Sequence, residues 1–336
     1  MSILFSICIT SYNRVKELER MLKSVDSVKY KDSIEIVVSE DKSPKKDLIK
    51  EVVENYTKAS PYKVVFNTNE NNLGYDRNLG KLKSLASGKY VIYMSDDDMF
   101  NANCLDAYLD YLLEKDCDLA FQPFTDDPGY SREYSESFFI KPSETNVAKH
   151  IDDAILFSGL TFKKERIDDL NSEPFLNSYY FQVYMFMTTL YKWGGHFINI
   201  PLVSCVGDGE NGYGLSDSSV KSELLADRKS IYSKLEFNRG LIKVIGIFDD
   251  ENNTKVKDLY AREYTIHLLP DMCKARMMGK DAYKKLLDMQ ESLDIKLTFE
   301  YMVYKACIAI FGGKITMKLF SVPKYLLLNY RKHFKR

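Results

Sequence analysis

The chain has 336 residues, 45% hydrophobic and 28% charged, which excludes a disordered or fibrous protein and allows one large core or two smaller ones. Its formal charge of −1 hides an uneven distribution: no acidic residue follows Glu300, so residues 301–336 sum to +8 and the remainder to −9. A basic segment of this kind implies a partner of its own, a membrane or a nucleic acid.

Met1 leads directly into the apolar stretch Ile3–Ile9, with no basic region ahead of it and no cleavage site, so it reads as a strand rather than a signal peptide. Ser11-Tyr12-Asn13-Arg14 ends this strand, and Leu18, Met21, Leu22 and Val25 then follow at helical spacing. Ile34–Val38 is a second strand, ending in Ser39-Glu40-Asp41-Lys42-Ser43-Pro44. A helix is expected over 46–58, a short strand over Tyr62–Phe66 and a helix over 75–87. The strand Tyr90–Met94 then runs into Ser95-Asp96-Asp97-Asp98. Strands alternating with helices imply parallel βαβ units in a doubly wound sheet, where ligands bind beyond the carboxyl ends of the strands. Polar clusters stand at those ends.

The next stretch is mixed. A helix over 103–115 precedes a strand over Leu119–Pro123, a polar loop over 125–137 and a helix near 146–156. An aromatic helix over 178–192 leads to a strand over Phe197–Ile200 and the loop Gly207–Gly214. Beyond about 220 the pattern is helical. Cys8, Cys104, Cys117, Cys205, Cys273 and Cys307 are scattered and show no zinc spacing, which fits a reducing, cytoplasmic compartment. There is no run of about 20 apolar residues, so no segment is expected to span a bilayer.

Asp96-Asp97-Asp98 carries the most chemistry. Three adjacent carboxylates repel unless a cation or hydrogen-bond donors compensate, and a hard divalent ion takes such oxygen ligands. The triplet also reads as a helix N-terminus, where Asp is favourable beside the dipole. Asp41 can accept from a base N–H or a ribose hydroxyl, although taken alone it is an ordinary turn residue. Tyr12 can stack on a base or simply pack. Asn71-Asn72-Leu73-Gly74, followed by Arg77-Asn78, is a polar turn feeding a helix, and Arg77 there can pair with phosphate.

Taken in order and spacing, Ile7–Arg14, Val37–Ser43, Asn72-Leu73-Gly74 with Arg77-Asn78, and Gly88–Asp98 resemble family 2 glycosyltransferases. The resemblance covers residues 3–100 closely and extends more loosely to about 215. It implies a GT-A fold, an α/β doubly wound mixed sheet, here with a C-terminal helical region, that binds a nucleotide-diphosphate sugar. By position, Thr10, Tyr12 and Asp41 hold the base, Arg77 lies near the nucleotide and Asp96 faces the ribose. Asn13, Arg14 and Gly74 belong to the same binding set. Asp97, with Asp98 as partner, holds Mn²⁺ or Mg²⁺ on the diphosphate.

One departure concerns the base. Inverting members of the family carry an acidic residue roughly 80–100 residues after the aspartates, where this chain has Asn177–Tyr184 with Gln182 near the expected place. Gln cannot take a proton from an acceptor hydroxyl. The aromatic-Gln helix, the following strand and Pro201-Leu202-Val203 are similar to the abequosyltransferase-like branch, which acts on O-antigen-type glycans. Three accounts stay open. Asp168, Asp169, Glu173, Asp208 or Glu210 supplies the base; the leaving diphosphate assists a retaining reaction; or the chain is a degenerate, non-catalytic nucleotide-sugar binder. A nucleotidyltransferase would want a Gly-rich loop with Arg and Lys after the first strand, and Thr10-Ser11-Tyr12-Asn13 is not that. The loop Gly207–Gly214 reads either as a mobile lid or as a plain surface connection.

The aromatic residues of 179–191 are expected in the core, and His150, His196, His267 and His333 receive no role. Residues 301–336 mix eight cations with Tyr301, Met302, Ile310, Phe311, Leu319 and Phe320, which fits helices lying in a membrane interface. Nucleic acid is not expected, because the rest of the chain is acidic and holds no recognition module. The expected protein is therefore a metal-dependent hexosyl- or deoxyhexosyltransferase of bacterial surface-polysaccharide (O-antigen or capsule) assembly, peripheral on the inner face of the cell membrane. Residues 1–230 would be its GT-A domain, with a nucleotide-binding half to residue 100 and an acceptor half over 101–230. Residues 231–336 would be its helical region. The acceptor would be a glycan or a polyprenyl-linked oligosaccharide.

Overall fold

The structure, a computed structural model of the chain, describes residues 2–126, 130–132, 134–209 and 231–334. The chain divides into two compact units, Met1–Ala226 and Asp227–Arg336.

In the first unit the apolar runs form β1 (Phe5–Ser11), β2 (Ile34–Glu40), β3 (Lys63–Thr68) and β4 (Tyr90–Ser95), paired in parallel in the order β3-β2-β1-β4. Continuous apolar sequence is what a parallel strand covered on both faces requires. The covering helices are α1 (Val15–Lys23), α2 (Lys46–Ala59) and α3 (Tyr75–Leu85). From α1, Leu18, Met21 and Leu22 join a core with Phe5, Ile7, Ile9, Ile36 and Val38. Burying each such side chain stabilises the fold by about 1.5–3 kcal/mol.

The sheet continues as a mixed one. After β5 (Met99–Phe100) and α4 (Leu105–Lys115) come β6 (Leu119–Phe121), the hairpin β7 (Phe124–Asp126) and β8 (Tyr130–Arg132), and β9 (Phe138–Ile140). Then follow α5 (Glu144–His150), β10 (Thr161–Lys163), α6 (Lys164–Ile167), α7 (Phe181–Trp193), β11 (Gly195–Phe197) and β12 (Val203–Ser204). β10 inserts antiparallel between β4 and β6, β11 runs parallel to β6, and β9 closes the edge antiparallel.

Two helices differ from the sequence expectation. Instead of one helix near 146–156, α5 ends at His150 and a 3₁₀ turn follows over Asp152–Ala154. The aromatic helix begins at Phe181 rather than near 178, because Asn177 and Tyr179 hold left-handed backbone (φ 61 and 65). Of the aromatics expected in the core, Tyr180, Phe181, Tyr184 and Phe186 are buried, while Tyr179 and Tyr191 are half-buried.

The register positions the site. Thr10 of β1 lies opposite Ser39 of β2 and Ser95 of β4, so the three strands end level. Tyr12, Asp41 and Asp96 therefore leave the sheet from one edge. The chain winds from β1 to β3 on one side of β1 and returns to β4 on the other, which makes this edge a topological switch point.

The second unit is helical among its described residues: α8 (Ile231–Asn252), α9 (Val256–Met278), α10 (Lys280–Glu291) and α11 (Phe299–Phe334). α11 bends where Gly312 leaves helical dihedrals (φ 74).

Candidate active site

The turn after β1 depends on Asn13, whose φ of 64 is a left-handed conformation that Asn tolerates better than most residues. It carries Tyr12 and Arg14 around the end of β4. Asp96 there accepts from the Tyr12 N–H at 3.2 Å and from Arg14 Nη1 at 2.8 Å. The same Arg14 nitrogen lies 3.0 Å from Asp97 Oδ2. Burial pushes the Asp96 carboxyl up to about 7, with Arg14 pulling it back. Asp97 accepts from Ser95 Oγ through its other oxygen. Asp98 accepts from Ser158 Oγ at 2.5 Å and from the Val206 N–H at 3.2 Å, and burial pushes it up to about 6. The mutual repulsion of the triplet is thus met by donors from four separate stretches of chain.

Asp41 has a definite local task. Its Oδ1 accepts from Asn69 Nδ2 at 2.9 Å and the Leu73 N–H at 2.7 Å, and its Oδ2 accepts from the Gly74 N–H at 2.9 Å. Burial raises its pKa against those donors. Gly74, with φ 76, is the residue that can turn its N–H back to this carboxylate while opening α3. Asp41, Asn72, Leu73 and Gly74 form one assembly between β2 and α3. Thr10 is half-buried at the end of β1.

Among the described candidate bases, Glu173, Asp208 and Asp168 are ion-paired, the last with Lys164. Glu173 forms a two-pronged ion pair with Arg77, 2.8 Å at each contact, which holds its carboxyl below the usual range. Arg77 in this structure faces Glu173. Asp208 is gripped likewise by Arg20 at 2.8 and 2.7 Å and held below its usual range. Gln182 is buried; its Nε2 donates to the Ile155 carbonyl at 3.3 Å, and its Oε1 has no hydrogen-bond partner. Glu210, like the rest of the Gly-rich loop beyond 209, lies outside the described residues.

Sequence reasoning missed three residues. Ser158 braces Asp98. Arg20 binds Asp208 and also donates to the Asp97 carbonyl at 2.8 Å. Asp76, buried beside Arg77, accepts from the Tyr179 and Phe181 N–H groups at 3.1 Å each and so fixes the start of α7. Only Asp76 lay between residues already singled out, Gly74 and Arg77.

Among the described residues no group of three or more His, Cys, Asp or Glu is placed to hold a metal ion. The donor chemistry still fits a divalent ion of the Mg²⁺ or Mn²⁺ kind, which needs only one or two carboxylates when substrate phosphates and water complete its shell.

A parallel half-sheet with aspartates at its switch point, extended by an antiparallel insertion, is the architecture of a GT-A glycosyltransferase. Residues 6–182, just over half the chain, match the profile described as glycosyl transferase family 2, and the chain belongs to that family. It is 29% identical over 229 residues to the abequosyltransferase RfbV of Salmonella typhimurium, covering 62% of this chain and 68% of that one. Among solved structures it is similar to the mannosyltransferase PcManGT of Pyrobaculum calidifontis in complex with GDP-Man and Mn²⁺. That match has a TM-score of 0.52 at 14% identity and covers 99% of this chain and 83% of that one. It is also similar to residues 1–349 of S. aureus TarS in complex with UDP, with a TM-score of 0.49 at 14% identity, covering 91% of each chain. The protein is thus a glycosyltransferase, related to the abequosyltransferase branch.

Proposed function

We propose that this glycosyltransferase moves a sugar, with a divalent metal, from a nucleotide-diphosphate donor to a glycan or lipid-linked oligosaccharide in bacterial surface-polysaccharide assembly. The observation that carries the reading is the level ending of β1, β2 and β4, from which Tyr12, Asp41 and Asp96-Asp97 emerge at one switch point. The relation to an abequosyltransferase supports the polysaccharide setting, and the GDP-Man and Mn²⁺ of the mannosyltransferase support the donor class and the metal.

In this reading Thr10 and Tyr12 line the base side, with the Asp41 assembly fixing the 72–74 turn beside them. Asp96 faces the ribose, and Arg14 is the cation beside the diphosphate, while Arg77 stays with Glu173. Asp97 is the residue to hold the metal, whose contribution is to offset the charge that develops on the departing diphosphate. Asp98 already accepts one hydrogen bond on each oxygen, from Ser158 and from Val206.

The engagement of Glu173 and Asp208 by arginines, with an amide at Gln182, supports a reaction that needs no enzymic base. The acceptor oxygen then bonds to the anomeric carbon as the bond to the diphosphate breaks, and its proton passes to a diphosphate oxygen. Anomeric configuration is retained. The test is a panel of nucleotide sugars screened for binding with Mn²⁺, then for transfer, with the product anomer read by NMR. Transfer that survives EDTA overturns the metal dependence, and an inverted product overturns the base-free step.

The basic segment 301–336 is proposed to hold the enzyme at the cytoplasmic membrane face. Among the described residues no helix is long and apolar enough to cross a membrane.

A further inference from the structure

Every carboxylate oxygen of the triplet has a partner within the chain. Asp98 is turned to Ser158 and Val206, Asp96 to Tyr12 and Arg14, and Asp97 to Ser95 and Arg14. Asp97 is therefore the metal-holding candidate whose second oxygen is met by a cation rather than by a neutral donor. One guanidinium nitrogen bridges it to Asp96, and the Arg14 side chain is only 13% exposed. A guanidinium is permanently charged and gives up its place only to another cation or by moving. A Mg²⁺ ion bonded to Asp97 Oδ2 at about 2.1 Å would lie within roughly 5 Å of that nitrogen, close enough for the two cations to repel.

The position of Arg14 is itself enclosed. Gly209 leaves the space that the arginine occupies, since a Cβ at 209 would come within 2.5 Å of Arg14 Nε. The segment carrying Gly209 is tied to Asp98 through Val206 and to α1 through Asp208.

We infer that Arg14 is an internal counter-cation that competes with the divalent metal for Asp97, so that part of the charge of the acidic pair is offset until metal and donor arrive. The inference rests on the metal-dependent reading above, and its test separates the two. Binding of Mn²⁺ alone to the full chain is followed by the EPR signal of free Mn²⁺, without nucleotide and without any activity measurement. Arg14→Gln, which keeps a hydrogen-bond donor but no charge, should bind Mn²⁺ more tightly than the native chain, on the order of tenfold for the loss of one charged contact. Arg14→Lys keeps the charge, but on a shorter side chain with a more strongly hydrated head, and should fall between them. Asp97→Asn should remove the binding in either background.

Equal or weaker Mn²⁺ binding by Arg14→Gln overturns the inference, as does an absence of binding in both native and variant chains. Should Arg14→Gln melt abnormally, the Arg14→Lys titration decides on the same terms. If Asp97→Asn leaves Mn²⁺ affinity unchanged, the assignment of Asp97 to the metal fails. If Asp97→Asn abolishes binding while the Arg14 variants match the native chain, only the competition fails.

Discussion

Asp76 is enclosed between two helices while still offering both oxygens to backbone donors at the start of α7. Burial pushes its carboxyl up to about 6, the N–H groups of residues 178–181 pulling the other way. A folded-state pKa above the unfolded value means that the native state holds the proton more tightly. The corresponding stability is fully present below about pH 4 and is lost as the pH rises through about 6. Asp76→Asn cannot titrate and leaves one N–H without its acceptor, at a cost of about 1–3 kcal/mol near neutrality. The stability gap between the native chain and Asp76→Asn should then widen by up to about 3 kcal/mol between pH 7 and pH 4. Urea unfolding across that range checks this, and a constant gap shows that the carboxyl does not titrate there. Asp97→Ala belongs to the same scale. It should abolish Mn²⁺-dependent donor binding while leaving the melting curve in place, and undiminished binding would remove Asp97 from the site.

At the scale of elements, the segment after β12 ties the site together. β12 pairs antiparallel with β5, Val206 reaches Asp98, and Asp208 closes onto Arg20 of α1. Two functions for Asp208 are distinguishable by kinetics. As the base, Asp208→Asn should lower kcat steeply while Arg20→Ala does not. As a latch, either single variant should have the same effect, concentrated in donor KM, and the double variant should be no worse than either. The geometry favours the latch, because a carboxylate held by a guanidinium at both oxygens is a weaker base.

The same segment marks where sequence reading stops. Phe5–Ile9, Ile34–Val38 and Tyr90–Met94 were legible because a strand buried on both faces is mostly apolar, the buried exceptions Ser6 and Glu35 being hydrogen-bonded to each other at 2.7 Å. The polar residues that end those runs were legible with them. β5 and β12 are two residues each and can carry no period, so their pairing is settled only in three dimensions. Arg77 and Glu173 were each singled out for separate tasks, yet they meet across 96 positions. Ser158 had no pattern around it at all. The late start of α7 follows from Asp76, which acts from 105 residues away on the Phe181 N–H.

At the scale of the whole molecule, the uneven charge acquires a structural form. Tyr301, Tyr304 and Ile308 of α11 are buried within the second unit, so removing residues 301–336 would expose its core and confuse unfolding with detachment. Other apolar residues of α11 face outward: Ile310 is 73% exposed, Ile315 53% and Leu319 51%, with Lys314 and Lys318 exposed beside them. Exposed apolar side chains alternating with cations are the composition of an interfacial helix. Exchanging Ile310, Ile315 and Leu319 for Ser should therefore leave thermal stability unchanged and release the protein from phosphatidylglycerol-containing vesicles in a sedimentation assay. Lys314→Gln with Lys318→Gln should weaken binding to anionic vesicles by up to about thirtyfold at low salt, at about 1 kcal/mol per cation, and leave neutral vesicles unaffected. Ionic strength should mimic the lysine variants, because the headgroup field decays within about 8 Å at 0.15 M salt. If the apolar triple variant stays with the vesicles, α11 is not what meets the lipid. If the native chain ignores anionic vesicles at low salt, the basic segment serves some other partner.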